Sequence, residues 1–433
     1  MRRTKAIRDL GVASLALVIF IGLGGVGTLP RASSEETVQV IKAAQVFPIS
    51  GPPIENGMVV IRGDKIEAVG VGLPIPEGAT VIDLGEAILT PGLIDARATY
   101  GMTGGENEEY KEVTPDVRAA DSIDLSHPGF QRALRAGVTA AYVTPGTRNV
   151  ISGAGAVCKT SGENRWLSER VAIQATLGRD PTRGNRSPRS GRPHNFYYRR
   201  PTNRMGVTSI IRRALFEAGK EKDALGLAEA LRGEIPLRFT ARRSSDIVSA
   251  LKLASDYGFI LIIDDAGEAY RNASDIARAK VSVILRVTVD PHNRLVAEFG
   301  HVAVDSAAQL HRAGVRLALA TWSDPGTAGP QDAAALAYRY GLPATAALRA
   351  VTADAAEILG VSDRIGTLEK GKDADLVAFD GDPLQVTSRV SFVMIDGRVE
   401  FLSTTKSASA GPTAAGETYP DSSPEPASMN RRP

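Results

Sequence analysis

A chain of 433 residues, 43% of them hydrophobic, can bury a large core, and its length fits one barrel-sized domain with a satellite. Its 51 Lys and Arg against 49 Asp and Glu leave a net charge of +2, which excludes any whole-protein argument for nucleic acid or a strongly acidic partner. The single cysteine, Cys158, excludes an internal disulfide, and its apolar run GAVCKT reads as a buried structural thiol.

The chain opens with MRRTKAIRD, which carries four cationic groups, and continues without charge from Leu10 to Gly27. This pattern predicts a signal peptide or an N-terminal membrane anchor over residues 1–35, and with it an exported, periplasmic or extracytoplasmic protein, anchored through residues 10–27 if uncleaved. No cysteine follows the apolar run to take a lipid. From Val38 to Leu89, short β-branched runs separated by Gly, Pro and Asp predict strands of a small sheet, and residues 36–89 form its first part. Eight apolar runs follow: AILTPGLIDARA, VTAAYVTP, GAVCKT, RVAIQATLG, LRFTARR, FILIIDD, VSVILRV and RLALATW. Helical stretches lie between several of them. SSDIVSALKLASDYG places Ile247, Leu251 and Ala254 at helical spacing, with Ser244 as the cap and Gly258 as the stop. VDSAAQLHRAG and ASDIARAK behave likewise. Buried strands interleaved with helices predict an α/β fold, a closed (β/α)8 barrel over residues 90–360 with its chemistry at the C-terminal strand ends. The β texture returns over 361–402, where Gly397 in IDGRVEF marks a turn, so the two chain ends complete one composite β-sandwich. Residues 403–433, rich in Ser, Ala, Pro and Gly, read as a disordered tail.

The motifs NGMVVIRGDKIEAVG, VIDLGEAILTPGLIDA, RAGVTAAYVTPG, IGTLEKGKDADLVAFDGDP and VMIDGRV, in this order, resemble the amidohydrolase superfamily, especially its imidazolonepropionase-like branch of amidohydrolases and dipeptidases. The resemblance covers roughly residues 38–403. It implies a barrel that holds one or two divalent metals, with His-x-His on strand 1, a carboxylated Lys on strand 4, His on strands 5 and 6, and Asp on strand 8. Imidazole and carboxylate suit Zn2+, which lowers the pKa of a bound water to about 7. Carried onto this chain, the strand 1 pair falls on Arg97 and Thr99, strand 4 on Gln174, strand 5 on Thr240 and Arg242 (with Arg243 keeping the family's basic residue), strand 6 on Asp265 and strand 8 on Trp322. Asp324 stands two residues beyond that last position. The five histidines, His127, His194, His292, His301 and His311, all lie elsewhere and read as surface or capping residues.

Arginine has no lone pair to donate, so Arg97 and Arg242 disfavour a cation twice over. The mouth still gathers Arg97, Arg179, Arg242, Arg243 and Arg286 against Asp264, Asp265 and Asp324. Three readings follow. An Arg-Asp network fills the former metal cavity; or Arg97, Arg242, Arg243 and Arg286 with Asp265 bind a small carboxylate or phosphate; or Asp324 acts as a general base with arginines stabilising an oxyanion. A hard cation on Asp264, Asp265 and Asp324 is opposed by the arginines around it. The reading adopted from the sequence is a non-catalytic, cofactor-free pseudoenzyme, a structural or regulatory partner of an active relative or an anion-binding module. The alternative is a hydrolase of C–N bonds in amides, cyclic amides or dipeptides, which would need Zn2+ or another divalent metal. Separately, the loop Gly178 to Arg204 holds eight arginines with Phe196, Tyr197 and Tyr198, and the acidic segment GGENEEYKEVTPDVRAADSID is expected to offset it across the mouth.

Overall fold

The computed structural model describes residues 37–103, 105–183, 185, 200–220, 226–286, 303–321 and 329–403. The N-terminal segment, the tail and most of the arginine-rich loop lie outside these residues. The first β segment contributes β1 (Val38–Lys42), β2 (Gln45–Val46), β3 (Ile54–Glu55), β4 (Gly57–Arg62), β5 (Lys65–Val71), β6 (Thr80–Asp83) and β7 (Ile88–Pro91). The barrel follows with β8 (Leu93–Ala98), β9 (Val138–Val143), β10 (Ile151–Lys159), β11 (Trp166–Thr176), β12 (Leu237–Thr240), β13 (Leu261–Asp264), β14 (Ser282–Arg286) and β15 (Leu317–Ala320). The chain then returns through β16 (Leu376–Phe379), β17 (Val390–Ile395) and β18 (Arg398–Leu402).

The two chain ends do build one satellite. One sheet runs β5-β4-β1-β6 and the other β18-β17-β16-β7-β2-β3, with the join where Leu89 of β7 lies opposite Ala378 of β16. Between the sheets Ile41, Val59, Ile61, Leu89, Leu376, Phe392 and Met394 form a buried core. Gly397 takes a positive φ of 71° in the hairpin joining β17 to β18, a conformation that a side chain would oppose.

The barrel sheet runs β15-β14-β13-β12-β11-β10-β9-β8, and two expectations are corrected in it. AILTPGLIDARA is not one strand: it divides at Gly92 into β7 of the satellite and β8 of the barrel. The strands are also not all parallel, because β10 runs antiparallel to both β9 and β11. The connections at 144–150 and 160–165 contain no helix. They are too short for a crossover, which takes about a dozen residues, so β9, β10 and β11 follow one another as hairpins. Elsewhere helices intervene as expected, at Pro128–Arg135, Arg204–Ala218, Ser244–Tyr257, Ala273–Arg278 and Ser306–Arg312. Arg243, not Ser244, occupies the cap position of Ser244–Tyr257. The Ser244 N–H instead donates to the Glu268 carboxylate at 2.8 Å, and Gly258 ends the helix at φ 78°.

The seam between β15 and β8 is bridged by backbone from further along the chain. The Leu319 N–H donates to the Ala350 carbonyl at 3.0 Å, and the Ile94 N–H to the Val351 carbonyl at 2.8 Å. Just beyond, Ala355, Ala356, Ile358, Leu359, Val361 and Ile365 cluster with Ile94, Ala140, Ile262 and Ala318, all near the starts of their strands. This apolar plug closes the N-terminal end of the barrel, which leaves the C-terminal strand ends as the mouth.

Candidate functional site

The mouth is built on strand alternation. In β12, Phe239 stacks against Phe259 on the outer, helix-covered side with ring centroids 5.9 Å apart, so Arg238 and Thr240 turn to the other face. Arg238 is wholly buried. Its Nη2 donates to the Ala96 carbonyl and to Asp264 Oδ1, both at 2.9 Å, and its guanidinium lies 4.2 Å over the Tyr142 ring. Gly155 makes room for that ring, because any Cβ there would overlap the Tyr142 phenol. The other Asp264 oxygen is taken by Arg97 Nη1 in a close, buried ion pair. One carboxylate at the end of β13 therefore holds two guanidinium groups.

A second cluster sits beside it. Arg242 bridges Asp180 Oδ2 at 2.7 Å and Asp265 Oδ2 at 2.6 Å, and Arg286 Nη2 reaches the same Asp265 oxygen at 3.2 Å. Burial pushes the Asp265 carboxyl up, but Arg286 and Arg242 outweigh it and hold the group below the usual carboxylate range. Burial likewise disfavours the Arg242 cation, and Asp265 and Asp180 reverse that, raising it above its ordinary value. Asp265 adopts φ 53°, a left-handed backbone conformation sparsely used outside glycine and tolerated best by Asn and Asp.

Of the remaining sequence-predicted positions, Gln174 and Thr240 carry neutral hydrogen bonds. Gln174 donates through Nε2 to Thr240 Oγ1 at 2.8 Å and accepts from Thr144 Oγ1 at 3.3 Å, so the strand 4 and strand 5 positions bond to each other. Thr99 is half-buried past the end of β8. Arg243 is half-buried at the head of the helix Ser244–Tyr257, and Arg179 is exposed. Trp322 and Asp324 lie outside the described residues, so the expected strand 8 position and the candidate general base belong to the sequence reading alone. Arg242 and Arg286 share Asp265, while Arg97 pairs with the neighbouring Asp264.

Three participants escape the sequence reading: Arg238, Asp180 and Asp95. For Arg238 the signal is present, since it stands two residues before Thr240 in LRFT and must share its face. Asp95, wholly buried in β8, accepts from the Arg97 N–H at 3.1 Å and from Thr321 Oγ1 at 3.2 Å. Burial pushes its carboxyl up to about 7 against these hydrogen bonds. Outside the mouth, His127 accepts the Gly129 N–H at 3.1 Å as a helix cap and His311 ends a helix, as expected of capping and surface histidines. Cys158 is buried, and burial pushes its thiol up to about 12, in line with a structural role. Of the anticipated contact between acidic segment and basic loop, the described residues carry Arg200 to Glu112 at 2.6 Å.

The described residues at the mouth do not by themselves form a donor set that fits a divalent metal. Both Asp264 oxygens are engaged by guanidinium groups, Asp265 is shared by two more, and arginine supplies donors only. Among the described residues no group of three or more His, Cys, Asp and Glu is placed to hold a metal ion. Hydrogen-bonding capacity nevertheless remains: Arg238 Nε and Nη1, Thr176 Oγ1 and Asp265 Oδ1 are buried atoms that make no hydrogen bond among the described residues.

Comparison with known proteins finds amidohydrolases similar to this chain in sequence and structure. The Amidohydrolase family model matches residues 265–400. An amidohydrolase, tasK, of Hapsidospora irregularis is 26% identical over 396 residues, which cover 80% of this chain and 39% of that protein. An imidazolonepropionase of Brucella abortus (strain S19) is 26% identical over 382 residues, 78% of this chain and 91% of that protein. The crystal structure of an amidohydrolase from Thermotoga maritima MSB8 is 30% identical with a TM-score of 0.75, covering 84% of this chain and all of that one.

Proposed function

The chain belongs to the amidohydrolase family, and from that membership we propose that it keeps the family's barrel but not its metal-dependent hydrolysis, its mouth serving as a binding site for a small anionic ligand or as part of a contact with an active relative. The observation that carries this is the Arg97–Asp264–Arg238 cluster, two guanidinium groups on one buried carboxylate. The unused N–H groups of Arg238 support a ligand bearing carboxylate or phosphate oxygens. The purified protein is expected to contain no stoichiometric divalent metal and to turn over none of a panel of dipeptides and cyclic amides. Stoichiometric Zn2+, or turnover abolished by a chelator, would overturn this reading. In titrations with small carboxylates and phosphates, Arg242→Ala should weaken binding by roughly tenfold or more, the scale of a charge-assisted hydrogen bond, and unchanged affinity counts against the anion site.

A second reading, hydrolysis of C–N bonds in amides, cyclic amides or dipeptides, is favoured by the relatives themselves, which include imidazolonepropionases and, with the fold alone in common, a prolidase at 20% identity and TM-score 0.55. It requires donors from outside the described residues, and the same metal analysis and panel separate the two. The charge pattern of residues 1–35 supports export; no helix of the described residues is long and apolar enough to cross a membrane.

A further inference from the structure

Lys159, the last residue of β10, is wholly buried where the barrel meets the composite sheet domain. Its ammonium lies 2.8 Å from Asp373 Oδ2, 2.9 Å from Asp375 Oδ1 and 2.6 Å from Asp396 Oδ1. Asp373 and Asp375 lead into β16, and Asp396 stands in the turn between β17 and β18. One barrel side chain thus fastens two separate stretches of the satellite. Fully buried Lys is rare unless paired, and here the pairing is threefold.

The charges around it are shared unevenly. Lys65 of β5 and Arg364 both engage Asp373 from outside, Arg364 at 2.7 Å, with Asp64 on the solvent side 3.9 Å from Lys65. Asp375 and Asp396 are left with the Lys159 ammonium between them. Asp396 is partly exposed and feels Arg398 of β18, while Arg165 bonds the Lys159 carbonyl and not the carboxylates. Asp375 has no such outlet. Its Oδ1 takes the Asp396 N–H at 3.0 Å as well as Lys159, and its Oδ2 is buried without a hydrogen bond among the described residues. Two carboxylates on one ammonium in a medium of low dielectric favour protonating the more buried of them.

We propose that this cluster is a proton-linked clasp, in which Asp375 takes up a proton on mild acidification and the composite sheet domain is then held more firmly to the barrel. Burial pushes the Asp375 carboxyl up to about 6, with Lys159 offsetting only part of that, whereas Asp373 stays below the usual range because Lys159, Lys65 and Arg364 together outweigh its burial. Lys159 remains protonated throughout: burial disfavours its charge, and Asp375 and Asp396 more than restore it. The sign follows from linkage. An acid with a folded pKa of about 6 against 3.8 unfolded penalises the folded state at all higher pH, and the penalty fades as pH falls through the window between the two.

The test is urea denaturation of the full chain across pH, comparing wild type with Asp375→Asn and Asp396→Asn. Groups such as Asp95 titrate in all three proteins and cancel in the comparison. Asp375→Asn is expected to be more stable than wild type at about pH 7.5, the gap closing by roughly tenfold in folding constant per pH unit below about 6. Asp396→Asn removes the competing carboxylate and should move that window to lower pH. A less stable or unfolded Asp375→Asn protein at about pH 7.5, a gap that does not change with pH, or a window unmoved by Asp396→Asn each overturns the clasp.

Discussion

Asp264→Asn should lower the stability of the folded chain by about 3–5 kcal/mol, measured by urea or thermal denaturation at neutral pH. The side chain keeps its size and an oxygen, so packing is nearly conserved, but Arg97 and Arg238 both lose an ion-pair partner. Removing one partner of a buried ion pair leaves an uncompensated buried charge, and that is the large cost. Arg238 is the more exposed to this loss electrostatically, because it is wholly buried and its described polar contacts are Asp264 and the Ala96 carbonyl. The companion experiment replaces all three residues, Arg97→Met, Arg238→Met and Asp264→Leu. An apolar set of similar volume is expected to recover most of the loss, since such networks are often no more stable than a packed hydrophobic core. If Asp264→Asn sits within about 1 kcal/mol of wild type, the network is not what occupies the mouth.

How far these features could be read from the sequence depends on the kind of information each needs. The satellite's two halves were legible because strand alternation and turn glycines such as Gly397 are local signals. The barrel was legible as apolar runs spaced by helices, but the direction of β10 was not, since GAVCKT looks the same whichever way it runs. Connection length carried that information: 144–150 and 160–165 leave no room for a crossover. Arg97 and Arg242 were legible because they fall where the family resemblance leads one to expect histidine. Arg238 replaced nothing expected, although its register with Thr240 places it on the same face, and Asp180 joins Arg242 only through the turn after β11. Lys159 gave no sequence signal at all, because its three carboxylates lie more than 200 positions away and meet it only through the docking of satellite on barrel.

Asp95→Asn should stabilise the protein at about pH 8 by roughly 2–4 kcal/mol and flatten its stability profile between pH 5 and 8. Asp95 is a carboxyl whose folded pKa is raised, to about 7 from 3.8, with burial as the largest cause. Above that value the folded state carries an ionised, wholly buried group that the unfolded chain would hold in water, so stability is penalised throughout the alkaline side. As pH falls from about 7 towards 4 the folded state binds a proton that the unfolded chain does not, and stability rises by about 1.4 kcal/mol per unit. This runs opposite to the salt-bridged Asp265, whose lowered pKa stabilises at neutral pH and is lost only in strong acid. Asparagine resembles the protonated form, and its carbonyl oxygen can still accept from the Arg97 N–H and Thr321 Oγ1. Denaturation midpoints of both proteins across this range decide the matter, since Asp375 titrates in both and cancels: an Asp95→Asn protein with the same slope as wild type would show that Asp95 is ionised in the folded barrel. For the anion site proposed above, a neutral Asp95 would leave the arginines facing one carboxylate fewer, so the proposal carries the expectation of tighter anion binding at about pH 6 than at pH 8, by the same proton that stabilises the fold.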